Sequence, residues 1–421
     1  MTERLFLLAY SLVTLSFSLF IGPLFLLHSR GRRRLLERYG VWEELQPGEY
    51  IWLHAASLGE AQAMLPLVHR VRLRFPDKRI LFTAVSVTGL EAVQEKVDEV
   101  RLLPFDHQAW FPKQCREHQF LFFGFGETEI WPSVIRTLAK RGIPIFMING
   151  TVSQKTSSWY SLIRPIVRPV LRSVKHLFLV NSESRSALVS LGAPEDRVAV
   201  VGNTKYDRAP RYPDLESVAK ARSQFFQREN PVFLLASIHP GEGEPWLDTL
   251  PAFLKAGWNV VVAPRHQERF SYFGEQLRSR DIPFIRRTSQ SSEGSECSVL
   301  LLDTLGELEA VYSFSTACFL GGTFVDLGGH NPLEPAMYGC FQVAGPYIYK
   351  IEAIFQQLIC EDAALQLHSK EEIRSAGEEI ARAPGRFRER GLKGKRVCER
   401  LQGATETIVK GISSALKEER C

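Results

Sequence analysis

Paired cysteines are missing from this 421-residue chain. Its seven cysteines (115, 297, 318, 340, 360, 398 and 421) are odd in number and form no Cys-x-x-Cys. That excludes a ribbon-type zinc site and points to a reducing compartment. A dominant charge sign is missing too, since 52 Lys and Arg against 47 Asp and Glu leave a formal +5. Such mild basicity suits anionic membranes or anionic substrates as well as nucleic acid, and selects none of them. Several catalytic signatures are absent. No Gly-x-x-x-x-Gly-Lys-Ser/Thr loop, His-Glu-x-x-His, Asp-x-Asp or Gly-x-Ser-x-Gly occurs, and Gly124-Phe125-Gly126-Glu127 lacks the third glycine of a dinucleotide fingerprint. A dinucleotide dehydrogenase, a P-loop enzyme, a zinc protease and a serine hydrolase are therefore poorly supported.

What is present begins with an uncharged run, LFLLAYSLVTLSFSLFIGPLFLL, Leu5 to Leu27. As one helix it would be roughly 35 Å long, enough to cross a bilayer. Arg30, Arg32, Arg33, Arg34 and Arg38 follow it. A cleaved signal would carry its basic residues before the apolar run. The expectation is thus a retained anchor over residues 1–29, with the bulk of the chain on the cytoplasmic side. A cleaved signal and an in-plane or buried helix are the alternatives.

Beyond the anchor, short apolar runs alternate with amphipathic stretches. EYIWLHAAS, RILFTAV, FLFFGFGE, IPIFMING, HLFLVNSE and RVAVVGN read as strands up to about Asn203. The rhythm lapses between Asp207 and Asn230, then restarts with PVFLLASIHPGE, WNVVVAPRH, SVLLLDTLGE and TACFLGGTF. Such βαβα alternation predicts an α/β fold of doubly wound parallel sheets. Two domains of similar size are expected, over 30–207 and 231–421, joined by a linker at 208–230. Polar motifs sit where strands end, the position at which such sheets bind ligands.

In the first half, Glu60 closes IWLHAASLGE near His54 and Ser57. It is either a helix-start carboxylate favoured by the dipole or a proton acceptor. Glu127 and Glu129 of FGETEIWPS are spaced i, i+2, so they share no helical face but can both point inward from a loop. Lys205 of VGNTKYD could neutralise a leaving phosphate or be solvated. In the second half, FLGGTFVDLGGHNPLEPAMYG is the densest signal. Its paired glycines allow close backbone approach, and Asn331 as N-cap, Pro332 at N1 and Glu334 at N3 predict a helix start suited to phosphate. Pro264-Arg265 places a fixed cation at a strand end. Leu305-Gly306-Glu307 offers backbone groups to a nucleobase, and ASIHPGE supplies Ser237, His239 and Glu242.

These pieces, HAASLGE, GETEIWPS, SESR, GNTKYD, ASIHPGE, APRHQERF, DTLGEL and GGHNPLEPA, together with ERYG after the anchor, resemble the Kdo (3-deoxy-D-manno-octulosonic acid) transferases of lipopolysaccharide synthesis. The resemblance spans most of the chain. It implies a GT-B fold, two Rossmann-like domains facing a cleft, and metal-independent, inverting transfer of Kdo from CMP-Kdo to a lipid A precursor. CMP-Kdo is then a substrate, so no cofactor and no nucleic-acid partner is implied. By motif, Glu60 resembles the general base, and Glu127 and Lys205 resemble transition-state stabilisers. Pro264-Arg265, Leu305-Gly306-Glu307 and Asn331-Pro332-Leu333-Glu334 resemble the CMP site. The implied location is the cell inner membrane, with a single-pass anchor. Another GT-B enzyme using a different nucleotide sugar is the alternative. One departure stands out: INGTVSQKTS carries Gly150, Thr151 and Val152 where many members read Asn-Ala-Arg.

Overall fold

The structure is a computed structural model describing residues 2–27, 32–127, 129–289 and 296–418. Arg30, Thr128 and Cys421 lie outside the described residues. The chain divides into two units, Met1–Arg208 with Leu401–Cys421, and Ala209–Arg400.

The first unit is built on β1 (Glu49–Ala55), β2 (Arg79–Ala84), β3 (Glu99–Leu102), β4 (Gln119–Gly126), β5 (Ile145–Gly150), β6 (His176–Leu179) and β7 (Val198–Val200). All pairings are parallel, in the order β3-β2-β1-β4-β5-β6-β7. In β1 every residue after Glu49 is buried, as expected of a strand covered on both faces. Successive residues feed opposite layers: Trp52 joins Phe123, Phe125 and Met147 on one side, while Ile51 and Leu53 join Phe82, Phe122 and Ile148 on the other. That is the period-two projection of a pleated strand.

The second unit repeats the plan with β8 (Val232–Ile238), β9 (Asn259–Pro264), β10 (Ile285–Arg286), β11 (Val299–Leu301), β12 (Ala317–Leu320), β13 (Phe341–Ala344) and β14 (Ala364–Gln366). Its order is β10-β11-β9-β8-β12-β13-β14, again all parallel. In the first sheet the strand order changes side between β1 and β4; in the second it does so between β8 and β12, and β11 also inserts between β9 and β10. Loops leaving adjacent strands part there and open a crevice at the carboxyl ends.

Two expected boundaries move. The last helix, Ala404–Glu418, belongs to the first unit, not the second. Its Ile408, Val409, Ile412, Ala415 and Leu416 complete the core layer that contains Phe146 and Phe178. The Asp207 carboxylate accepts from the N–H of Gly403 (2.6 Å) and Thr405 (2.5 Å), fixing the start of that helix. The expected linker is also ordered. Asp214 and Ser217 form a capping box at the head of helix Leu215–Ser223, and Phe225 and Phe226 behind it are buried.

The apolar run Leu5–Leu27 is long and apolar enough to cross a membrane. It forms helix Thr2–Phe20 followed by a 3-10 segment, Gly22–Leu27. Pro23 lacks an N–H, so it cannot continue the helical ladder. One side of the helix meets the first unit. Tyr10 Oη donates to Asp106 (2.6 Å), Trp110 Nε1 to Ser18 Oγ (2.8 Å) and Tyr39 Oη to the Ser18 carbonyl (2.7 Å). Leu5, Leu12, Val13, Phe20 and Leu27 remain exposed.

Candidate active site

At the first switch point, β1 ends at Ala55 and helix Leu58–Arg74 begins after two intervening residues. Ser57 is its N-cap, with Oγ accepting from Glu60 N (3.3 Å). Glu60 closes the cap from the other side. Its Oε2 accepts from Ala56 N (2.9 Å) and its Oε1 from the Ser57 hydroxyl (2.8 Å). Glu60 is therefore a capping carboxylate held through both oxygens. Each oxygen keeps a further lone pair for a substrate hydroxyl. His54 is different. It lies inside β1, fully buried, with Nδ1 3.0 Å from Thr83 Oγ1, and burial pushes its pKa down to about 3. It is a neutral core histidine beneath the loop.

Glu127 follows the last residue of β4, in the left-handed region (φ 50°), with its N–H bonded to the Ile148 carbonyl (2.8 Å). That backbone is unusual for a residue with a Cβ and is common where function fixes the turn. Burial and then Glu60 push the Glu127 carboxyl above the usual range, and Lys205 opposes them. Glu129 is pushed up to about 7, by burial first and then by Glu60 and Glu127. Its field reaches Tyr160, whose hydroxyl burial and Glu129 together raise to about 12. Lys205 reaches solvent, yet desolvation by its surroundings lowers its pKa, with Glu127 acting the other way. Glu60, Glu127, Glu129 and Lys205 are thus one electrostatic cluster.

Asn149, not singled out in the sequence, ties this cluster together. It sits in the left-handed region (φ 54°) in β5. Its Nδ2 donates to Thr204 Oγ1 (2.7 Å) and its Oδ1 accepts from Thr204 N (3.0 Å). The Thr204 hydroxyl in turn donates to the Ala63 carbonyl (2.5 Å), on the helix that carries Glu60. The loop bearing Lys205 is thereby fixed to that helix. The available signal was Asn before Gly at a strand end, since asparagine tolerates this backbone best among residues with a Cβ.

At the second switch point, Ser237 in β8 has φ 53° and the chain continues into His239 and Glu242. Glu242 is fully buried and accepts four backbone N–H groups. Oε1 takes His239 (3.1 Å) and Gly322 (2.6 Å), and Oε2 takes Thr323 (3.2 Å) and Phe324 (3.1 Å). Burial nevertheless keeps this carboxyl above its usual range. The loops after β8 and β12 are clamped together. A Cβ on Gly321 would stand 2.1 Å from the Ser237 carbonyl oxygen, so only glycine allows the approach. His330 comes alongside, its Nε2 3.1 Å from that of His239 with the rings stacked at 14°. Exposed Arg265, just past Pro264 at the end of β9, acts electrostatically on both imidazoles.

The rest of the expected nucleotide set is arranged differently. The predicted helix at Asn331-Pro332 begins one residue later and is short, Leu333–Met337. Asn331 Oδ1 accepts from Leu333 N (3.1 Å), and Asn331 Nδ2 lies 3.5 Å from Glu334 Oε1. Pro332 and Leu333 are buried, and the Pro332 carbonyl accepts from Gln342 Nε2 (3.0 Å). Glu307 is gripped by Arg287, with contacts of 2.8 to 3.2 Å, and by the Thr304 hydroxyl. Burial would raise its pKa, but these partners outweigh it and hold the carboxyl below the usual range. Gly306 (φ 84°) has open space around its Cα, and Leu305 is exposed, so the backbone of this turn is accessible. Among the described residues, no three His, Cys, Asp or Glu side chains gather as metal ligands.

Two doubly wound seven-stranded parallel sheets, each with its polar groups at a switch point, define the GT-B glycosyltransferase class. Solved structures with this fold include the glycotransferase of kitacinnamycin (14% identity, TM-score 0.51, 87% of this chain and 100% of that one). UDP-GlcNAc 2-epimerase from Neisseria meningitidis also shares it (12% identity, TM-score 0.55, 87% and 100%). Within the class, the chain belongs to the 3-deoxy-D-manno-octulosonic acid (Kdo) transferase family. Residues 33–208 match the family model described as 3-deoxy-D-manno-octulosonic-acid transferase (kdotransferase). The 3-deoxy-D-manno-octulosonic acid transferase of Haemophilus influenzae is 30% identical over 406 residues, 93% of each chain.

Proposed function

We propose that this glycosyltransferase moves one or more Kdo units from CMP-Kdo to a lipid A precursor at the cytoplasmic face of the inner membrane, inverting the anomeric centre without a metal. The observation that carries this reading is the cluster at the first switch point, where Glu60 is oriented through both oxygens and Glu127 is opposed by Lys205. An acceptor hydroxyl approaching Glu60 gives its proton to a carboxylate oxygen as its own oxygen bonds to the anomeric carbon of Kdo. The bond from that carbon to the phosphate oxygen breaks, and CMP departs with the electron pair. Attack from the side opposite the leaving group inverts the centre. Arg265 is a cation that can offset the charge growing on the phosphate, while Glu127 and Lys205 serve as transition-state stabilisers. Pro264, the turn Leu305-Gly306-Glu307 and the segment Asn331–Glu334 hold the nucleotide. The apolar N-terminal helix keeps the enzyme at the surface where its lipid acceptor resides, which raises their effective concentration.

Purified full-length protein in detergent, given CMP-Kdo and a tetraacylated lipid A precursor, should release CMP with or without a chelator. No release above background would overturn the proposal. Glu60→Gln should lose turnover by about 10²–10⁴-fold, the usual contribution of a positioned base, while still binding CMP. Full turnover in that variant would remove Glu60 from the role.

A further inference from the structure

His239 and His330 are not part of the nucleotide set above, yet they occupy the centre of the second switch point. Their Nε2 atoms are 3.1 Å apart. At that distance one nitrogen must carry the hydrogen and the other offer its lone pair. Two lone pairs or two N–H groups would repel. The geometry is built in from several directions. Glu242 fixes the N–H of His239 and of Gly322, and Gly322 sits at φ 73° with its Cβ position 3.2 Å from His330 Nε2. The Gly328-Gly329 pair, both at positive φ, delivers His330 to the site.

The charged groups facing the pair are cationic. Arg265, His266 and Arg269 come from the segment after β9, and Lys350 from the turn before helix Glu352–Cys360. Glu242 is the acid bonded to this loop, and both its oxygens go to backbone N–H groups. Positive charge and two half-buried imidazoles therefore meet at this switch point. Burial first, and then these cations, hold His239 below its usual pKa and bring His330 to about 4. Both rings are neutral near pH 7. An arriving anion reverses the sign of the local field and favours the imidazolium.

Resting on the donor reading proposed above, we infer that His239 and His330, beside Arg265, form a seat for an anionic oxygen group of the donor, and that the pair takes up a proton when this group binds. The proton comes from solvent. It leaves one ring an imidazolium that donates to the anion, while the other ring remains its neutral neighbour. The anion is either the nucleotide phosphate or the carboxylate of the sugar acid, which share this chemistry.

Calorimetric titration of the full-length protein at pH 7.5, in buffers of different ionisation enthalpy, tests the inference. The probes are CMP, cytidine, and free Kdo added to the CMP complex. Proton uptake with CMP but not cytidine assigns the seat to the phosphate, and uptake only with Kdo assigns it to the carboxylate. The phosphate of free CMP, with a second pKa of about 6, can only release protons under these conditions, so uptake comes from the protein, and the histidine variants assign it to the pair. His330→Gln and His239→Gln should each abolish the uptake and weaken the responding ligand about tenfold, the loss of one charge-assisted bond. CMP and Kdo binding without proton uptake in the unaltered protein would overturn the inference while leaving the donor reading intact. Absence of any CMP binding would instead sink the donor reading itself.

Discussion

Replacing Glu129 by glutamine should make the first unit more stable at pH 8, not less. Burial, Glu60 and Glu127 raise this carboxyl from its ordinary 4.5 to about 7. The sign follows from linkage. Below the unfolded value both states hold the proton and the shift costs nothing. As the pH climbs from there through 7, the unfolded chain ionises readily while the folded chain resists, so stability falls. A shift from 4.5 to about 7 corresponds to about 3 kcal/mol at roughly 1.4 kcal/mol per pH unit. Glu129 is only half-buried, and solvent screening trims this to about 1–3 kcal/mol. Glutamine mimics the neutral acid and never pays that cost. Urea unfolding of the detergent-solubilised full chain, followed by tryptophan fluorescence, should show Glu129→Gln gaining about 1–3 kcal/mol over the parent at pH 8 and little at pH 4.5. An equal effect at the two pH values, or a loss at pH 8, would refute the assignment of the raised Glu129 pKa to burial and its neighbouring carboxylates.

Two further substitutions probe the second switch point. Glu242→Gln turns one acceptor oxygen into an NH₂ group facing backbone donors, leaving buried N–H groups unpaired. Thermal unfolding should report a loss of about 1–3 kcal/mol, reduced by the desolvation that the neutral amide avoids, and an unchanged or higher midpoint would show that the clamp is not needed. Gly321→Ala places a Cβ 2.1 Å from the Ser237 carbonyl oxygen, so the loops after β8 and β12 must separate. CMP affinity should drop by at least tenfold while the far-ultraviolet circular dichroism spectrum persists, and unaltered affinity would mean that these loops do not hold the nucleotide.

The fold class was legible because parallel strands buried on both faces leave an uninterrupted apolar trace, as IWLHA does. Strand order was not legible. The neighbours of β1 are set by side chains arriving from β2 and β4, and nothing local to IWLHA encodes them. The same limit explains the last helix. ATETIVKGISSALKE shows its apolar face, but a period of 3.6 cannot say which sheet that face will cover. Residues 208–230 looked like a linker because their apolar content is diluted, although the Asp214-x-x-Ser217 cap and the Phe225-Phe226 pair were visible in the sequence. The turn Leu305-Gly306-Glu307 was expected to meet a nucleobase through its backbone, and the sequence did not show that the Glu307 side chain goes to Arg287, twenty positions earlier. Its turn can still serve through backbone at Gly306. Asn149 and Glu242 were hard to weigh for another reason. Each works by holding loops from different strands together, and such partners are joined only by folding.

Glu60 shows why a capping carboxylate and a catalytic base need not be alternatives. A base must present a lone pair at a fixed place, and a free glutamate side chain samples many rotamers before it does so. The Ala56 N–H and the Ser57 hydroxyl, both donors, remove that freedom and leave each carboxylate oxygen a further lone pair. Ordinary helix-start chemistry thus performs the positioning that the base role proposed for Glu60 requires. The second sheet has its own switch point with opposite chemistry, placing imidazoles and Arg265 there, whereas the first places Glu60, Glu127 and Glu129 at its own. Glycosyl transfer needs a base for the acceptor hydroxyl and cations for the departing phosphate. In the transfer proposed above, the first sheet's loops carry the base and the second sheet's loops carry the cations; a fold only fixes where loops emerge, and their side chains decide the chemistry.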